Sequence, residues 1–213
     1  EGKTLLPVFE RLVGASLLYG FHQVVGTRYD LPAGFAQKCR STIDLIERRI
    51  GEWEDMLEGN AFFQARTQGV GVISRELAQE VGISGPLIRG SGVAYDIRRA
   101  EPYSSYEDFD FKVPVETAGD CYARYRVRMV EFRESIKIVR QALDGLPEGP
   151  ISSRPGVKSV GQVRVAKGEG YARVEGRRGE VGCYLVADGG AKPYRMKWRG
   201  ASFSNLAVLP HII

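Results

Sequence analysis

The chain is poor in the residues that most often carry chemistry. Its 213 residues include only two histidines, two tryptophans, three methionines and three cysteines. Cys39, Cys121 and Cys183 lie far apart, without CxxC or CxxxC spacing. An odd, scattered set argues against a zinc site and against a disulfide framework. What remains is an expectation of reduced, buried thiols in a cytosolic protein. His22 and His211 supply no cluster for metal ligation, and a lone histidine on an apolar stretch is usually a satisfied core side chain. No apolar run reaches the ~18 residues that a membrane helix needs and no signal-peptide pattern is read in this stretch, so a membrane span is not expected in it. P-loop, HExxH, GxSxG and EF-hand patterns are missing. Gly69-Val70-Gly71 lacks the third glycine and the βαβ setting of a dinucleotide fingerprint. The net charge of +4 is mild, and no dense Lys/Arg run interleaves with aromatics. A nucleic-acid partner is therefore not expected.

What the chain does have is the stretch from Gly82 to Tyr103. Gly82, Gly85, Gly90 and Gly92 recur through it beside Pro86, and Arg89, Arg98 and Arg99 alternate with Asp96 and Glu101. Each glycine costs a helix roughly 1 kcal/mol relative to alanine, so the stretch is a poor helix. It is also too rich in charge for a flexible linker. An ordered irregular loop is predicted, with arginine and aspartate side chains satisfying its unpaired backbone. Two roles fit it. As a structural hub, Arg89, Asp96 and Arg98 form ion pairs that tie loop to helix. As a ligand site, the same arginines face an anionic or redox partner. The acidic segment Glu101–Asp110 reads most simply as a solvated edge.

Around this loop the apolar spacing predicts long helices. The first runs from a Thr4 cap to Val25, with Gly26 ending it and apolar residues on more than one face. The second starts at Asp30 and Pro32 and reaches Glu58, on a stripe through Phe35, Cys39, Ile43, Ile46, Ile50, Trp53 and Leu57. Ser74 caps a short helix to Val81. Gly119-Asp120 opens a third long helix to Leu143, with Tyr122, Tyr125, Met129, Phe132, Ile136, Val139 and Leu143 on its apolar side. Arg124, Arg128, Glu131, Glu134, Lys137 and Arg140 take the other side, where Glu134 can pair with Lys137. Gly145–Gly168 reads as a long loop. Then the period changes to two: Tyr171–Glu175, Val181–Ala187 and Tyr194–Arg199 predict an antiparallel meander. The class is α+β. We expect one domain over 1–213, with a helical portion over 1–145 containing the 82–103 loop, a loop over 146–168 and a small β region over 169–213. The starting Glu-Gly-Lys and the apolar end Leu209–Ile213 suggest a piece of a longer protein.

The stretches GISGPLIRGSGVAYDIRRAEPYSSYEDFDFKVPV and GDCYARYRVRMVEFRESIKIVRQAL resemble the D subunit of proton-pumping NADH:quinone oxidoreductase, respiratory complex I. The segment GRRGEVGCYLVADGGAKPYRMKWRGASFSNLAVLP is similar to the C-terminal region of the same family. The resemblance extends from the first helix to Pro210. It implies a fold shared with the large subunit of nickel-iron hydrogenases. It also implies a place in the peripheral arm, on the cytoplasmic side of the membrane, against the subunit that holds the terminal iron–sulfur cluster. The resemblance further implies that quinone is reduced between those two subunits.

The family's quinone-contacting His and Tyr and its acidic tail have no counterpart in this sequence, which is expected to be a C-terminal fragment. No catalytic residue is carried over, no metal or cofactor is expected on the fragment, and the isolated fragment is expected to be inactive. NADH, quinone and iron–sulfur clusters belong to the parent complex and its other subunits. A family histidine close to the terminal cluster aligns with Leu18, and His22 lies four residues further on. The resemblance then implies a cluster of lower, less pH-dependent potential, which a pH titration of that cluster would check. Two other readings remain open. One is the large subunit of a membrane-bound nickel-iron hydrogenase, whose CxxC pairs would lie outside this sequence. The other is a non-catalytic assembly module of the same fold.

Overall fold

The computed structural model describes residues 2–24, 26–153 and 165–213. Helix α1 spans Gly2–Val13 and lies against α2, Phe35–Glu58. Between them sits a small hairpin, β1 (His22–Gln23) with β2 (Gly26–Thr27). Short helices α3 (Ala61–Thr67), α4 (Arg75–Glu80), α5 (Pro86–Gly90) and α6 (Ile97–Ala100) lead to a second long helix, α7, Cys121–Asp144. The Asp120 side chain caps α7 by accepting from the Ala123 amide at 2.7 Å, and its other oxygen takes the Gly69 amide at 2.8 Å. One buried carboxylate thus sets the start of α7 and anchors the extended segment before α4.

Helices α2 and α7 share a core of Ile43, Ile50, Met129 and Ile136, flanked by Cys39, Ile46, Trp53, Tyr125 and Leu143. Arg140 bridges to Asp44 and Glu47, Arg126 to Glu58, and Arg133 to Glu54 along the rim. These pairs are half exposed, worth about 0–1 kcal/mol each, so the apolar seam carries the packing. A second core joins Ile73, Ala78, Ile83 and Ile88 to Val208 from the far end of the chain.

Strands β3 (Gly168–Gly176), β4 (Gly179–Ala187) and β5 (Arg195–Arg199) form an antiparallel meander, with β4 central. Helix α8 (Ala201–Asn205) and a 3-10 turn, Leu206–His211, return the chain to the loop. There Asn205 accepts from the Ser84 amide at 3.0 Å and donates to the Arg178 carbonyl at 2.9 Å. The α+β class, the α2 stripe and the meander all match the sequence reading.

Three expectations need correction. The first helix stops at Val13 and does not reach Val25. Gly14 turns left-handed (φ 70°), its amide closing on the Glu10 carbonyl at 2.7 Å, and the chain goes on to the β1–β2 hairpin. Apolar residues beyond Val13 include Leu17 and Leu18, which are strongly exposed. Second, α7 meets α2 through Tyr125, Met129, Ile136 and Leu143 as predicted, but its other side is not solvated. Phe132 and Val139 are exposed, whereas Arg124 and Val127 are buried, because α5 covers the face that carries the arginines. Third, Lys137 pairs with Asp110 at 2.5 Å, not with Glu134, which accepts from the Lys112 amide. The three cysteines are free, as expected, but only half-buried. Of the predicted Gly145–Gly168 loop, residues 154–164 lie outside the described residues.

Candidate functional site

The Gly82–Tyr103 stretch is ordered and holds two of the short helices. Gly85 takes φ 71°, and Pro86 follows at the first position of α5, where its missing N–H costs nothing. This sends Arg89 inward. Arg89 is 1% exposed, the largest fully buried side chain of the described residues. Its Nη1 donates to the Tyr95 carbonyl at 2.8 Å and to Glu175 Oε1 at 3.0 Å, and lies 3.6 Å from Asp96 Oδ2. Its Nη2 stands 2.5 Å from Glu131 Oε1. That contact is close but poorly directed, so Glu131 Oε1 has no hydrogen bond, and neither has Arg89 Nε, among the described residues.

Asp96 caps α6. Its Oδ1 accepts from the Arg98 amide and Arg98 Nε, both at 2.9 Å, while Oδ2 takes Arg98 Nη2 at 2.6 Å. The guanidinium of Arg98 also lies 5.0 Å over the Phe111 ring. Glu175 Oε2 accepts from the Ile97 amide at 3.3 Å, and the Glu175 amide donates to the Tyr103 hydroxyl at 3.1 Å. Burial pushes the pKa of that hydroxyl up to about 12. The structure therefore brings Arg89, Asp96 and Arg98 together, as the sequence suggested, and adds Glu131 from α7 and Glu175 from β3.

Two arginines face three carboxylates, with little water to share the imbalance. Burial raises Glu131 and Glu175 above the ordinary value of 4.5, outweighing the attraction of Arg89. Burial also pushes Asp96 upward, but the Arg98 hydrogen bonds and the charges of Arg98 and Arg89 outweigh it and hold Asp96 below 3.8. The pH consequences have opposite signs. The raised glutamates bind protons more readily in the folded state, so their contribution is present below 4.5 and is lost as pH rises through the folded values. Asp96 contributes above 3.8 and its contribution is lost as pH falls through its lower folded value.

A Glu131→Gln variant removes one excess negative charge and leaves two arginines facing two carboxylates. We expect it to stay within about 1 kcal/mol of the parent at neutral pH, since no charge is left unpaired. The fall in stability as pH rises above 4.5 should flatten. Urea midpoints measured across pH check both; a loss above about 3 kcal/mol would mean that Glu131 is held fully ionised.

Leu18 and His22, the residues expected near a cluster, are not on a helix. Leu18 is exposed in the irregular run after α1, and His22 is exposed in β1 with its ring 5.5 Å from Phe21. His22 therefore does not follow Leu18 by one helical turn.

A model of the respiratory-chain NADH dehydrogenase 49 Kd subunit matches residues 3–213. The chain belongs to that family. All of it aligns with the D subunit of NADH-quinone oxidoreductase from Desulforamulus reducens at 41% identity, covering 57% of that relative. It is 42% identical to the D subunit of F(420)H(2) dehydrogenase from Methanosarcina mazei, again over the whole chain and 58% of the relative. It is 43% identical to the H subunit of NAD(P)H-quinone oxidoreductase from Nostoc punctiforme, of which it covers 59%. The chain thus spans less than two thirds of the length of these curated relatives.

In this member of the 49 Kd subunit family, sequence reasoning misses Glu131 and Glu175. Helical spacing sets Glu131 on a solvated face of α7, and no periodicity shows that α5 covers it. Glu175 offers one signal. It opens the motif Glu-Gly-Arg-Arg-Gly-Glu, where the strand register sets it directly opposite Glu180. Facing glutamates repel unless each finds a cation. Glu175 finds Arg89, and Glu180 finds Arg173 and Arg199.

Proposed function

We propose that this chain forms part of the quinone-reducing module of a proton-translocating oxidoreductase, packed beside the subunit that carries the terminal iron–sulfur cluster. The observation that carries the reading is the family match over 3–213, which includes the whole buried charge cluster. The surface supports it. Leu17 and Leu18, adjacent in the chain, are each more than 80% exposed and make a small apolar surface of the kind a partner subunit covers. No described helix is long and apolar enough to cross a membrane. In this proposal the attachment is peripheral, on the cytoplasmic side, through other subunits. NADH or another donor, quinone and the clusters are handled by the assembled complex. Donors other than NADH are included because one relative is named for F(420)H(2).

In this reading the chain buttresses the site and reacts with nothing itself. Its buried arginine–carboxylate hub holds α5, α6, α7 and the sheet in one frame, and the purified chain alone is inactive. The test is affinity purification of the tagged chain from gently solubilised membranes. An iron–sulfur subunit should co-purify, and deletion should abolish donor:quinone reductase activity. A chain that purifies alone, with that activity intact after deletion, would overturn the proposal.

A further inference from the structure

A cavity of about 440 Å³ opens beside the buried cluster. Five arginines line it: Arg89 and Arg98 from the loop, Arg128 from α7, and Arg177 and Arg178 from the turn between β3 and β4. The lining carboxylates are Glu131 and Glu175, with Asp96 behind them. Positive charge is in excess by two. Among the described residues, Arg128, Arg177 and Arg178 form no salt bridge. The Arg128 Nη1 donates to the Arg124 carbonyl at 2.9 Å, and Arg178 Nη1 to Ser202 Oγ at 3.0 Å. Burial, with the charges of Arg124, Arg89 and Arg178, pulls the Arg128 guanidinium below its ordinary value despite Glu131. Arg89 Nε is buried without an acceptor at the same wall. Like charges are gathered here at a cost that a counter-anion would relieve.

We propose that this cavity is an oxyanion site whose ligand is a phosphate-type dianion. Three observations select that chemistry. The excess of two positive charges matches a dianion. The arginines come from a loop, a helix and a turn, so positive charge surrounds the cavity from several sides, which suits a tetrahedral group better than a planar carboxylate. The volume exceeds that of phosphate alone, and Phe132 and Ser135 on one wall leave room for an organic body attached to it. Arg177 and Arg178 are exposed at the rim, where an entering anion meets them first.

The experiment uses the assembled complex as purified, with inorganic phosphate, succinate and chloride added at matched ionic strength above neutral pH. Calorimetric titration should show saturable phosphate binding, weakened at least tenfold by Arg177→Ser/Arg178→Ser. Both residues sit on an exposed turn, so the melting temperature of the variant without phosphate should stay close to the parent's. The conservative Arg177→Lys/Arg178→Lys pair should recover part of the affinity. Equal response to chloride, preference for succinate, or unchanged phosphate binding in the serine variant would each overturn the proposal.

Discussion

Truncating Arg89 to alanine is expected to destabilise the folded chain by about 3–5 kcal/mol, the cost of leaving buried charges without their partner. Four acceptors or carboxylates converge on this one guanidinium: Tyr95 O, Glu175, Glu131 and Asp96. Without it, Glu175 loses its salt-bridge partner and Glu131 its closest cation, while Asp96 keeps only Arg98. Arg89→Lys should fall well short of rescue, because a single ammonium cannot fork toward partners on α6, α7 and β3 at once. Arg89→Met combined with Glu131→Gln and Glu175→Gln should regain much of the loss, since it removes the stranded charges along with their counter-ion. Denaturant midpoints of the four proteins decide the matter. A single Arg89→Ala variant within about 1 kcal/mol of the parent would show that the hub is not electrostatic in origin.

The second large effect is expected at Gly85. A β-carbon there would meet the Gly179 Cα at 2.4 Å and the Gly179 amide nitrogen at 2.6 Å, so the β4 backbone itself would have to move. The residue also holds φ 71°, which costs other L-residues roughly 1–2 kcal/mol. Overpacking of this kind adds about 1–3 kcal/mol, so Gly85→Ala should lose about 2–5 kcal/mol in all. Gly82 supplies the control. It has nearly the same backbone angle, φ 69°, but open space around its would-be β-carbon. Gly82→Ala should therefore cost only the conformational share, about 1–2 kcal/mol. Comparable losses at the two positions would mean that the close approach of loop and sheet contributes nothing beyond backbone strain.

Arg89 and Gly85 belong to one joint. Ser84 and Gly85 meet Gly179 and Glu180, and Asn205 closes the contact from the other side. The same joint brings Glu175 under Arg89 and aims the Arg177–Arg178 turn at the cavity. A small shift of the sheet would therefore disturb both the buried charge balance and the anion site. The function proposed for the chain, as a rigid buttress beside a partner's redox centre, depends on that joint staying closed.

How far this could be read from residues alone follows from the range of the forces involved. Local patterns determined a good deal. The stripe through Ile43, Ile46 and Ile50 made α2, Ser74 and Asp120 marked two helix starts, and the turn residues at Gly176–Gly179 and Asp188–Gly190 spaced the meander. The crowding of Gly and Arg in 82–103 identified the loop, and its wording indicated the family. Each of these signals acts over a few residues, where backbone geometry dominates. The tertiary structure decided the rest. Leu17 and Leu18 read as helix only because an apolar run is ambiguous until its neighbours are known. Phe132 and Arg124 exchanged expected places because α5, not solvent, lies on that side of α7. Arg89 found Glu175 86 residues away and Glu131 from another helix. Such partners are chosen by where folded elements meet, and no spacing along the chain encodes that.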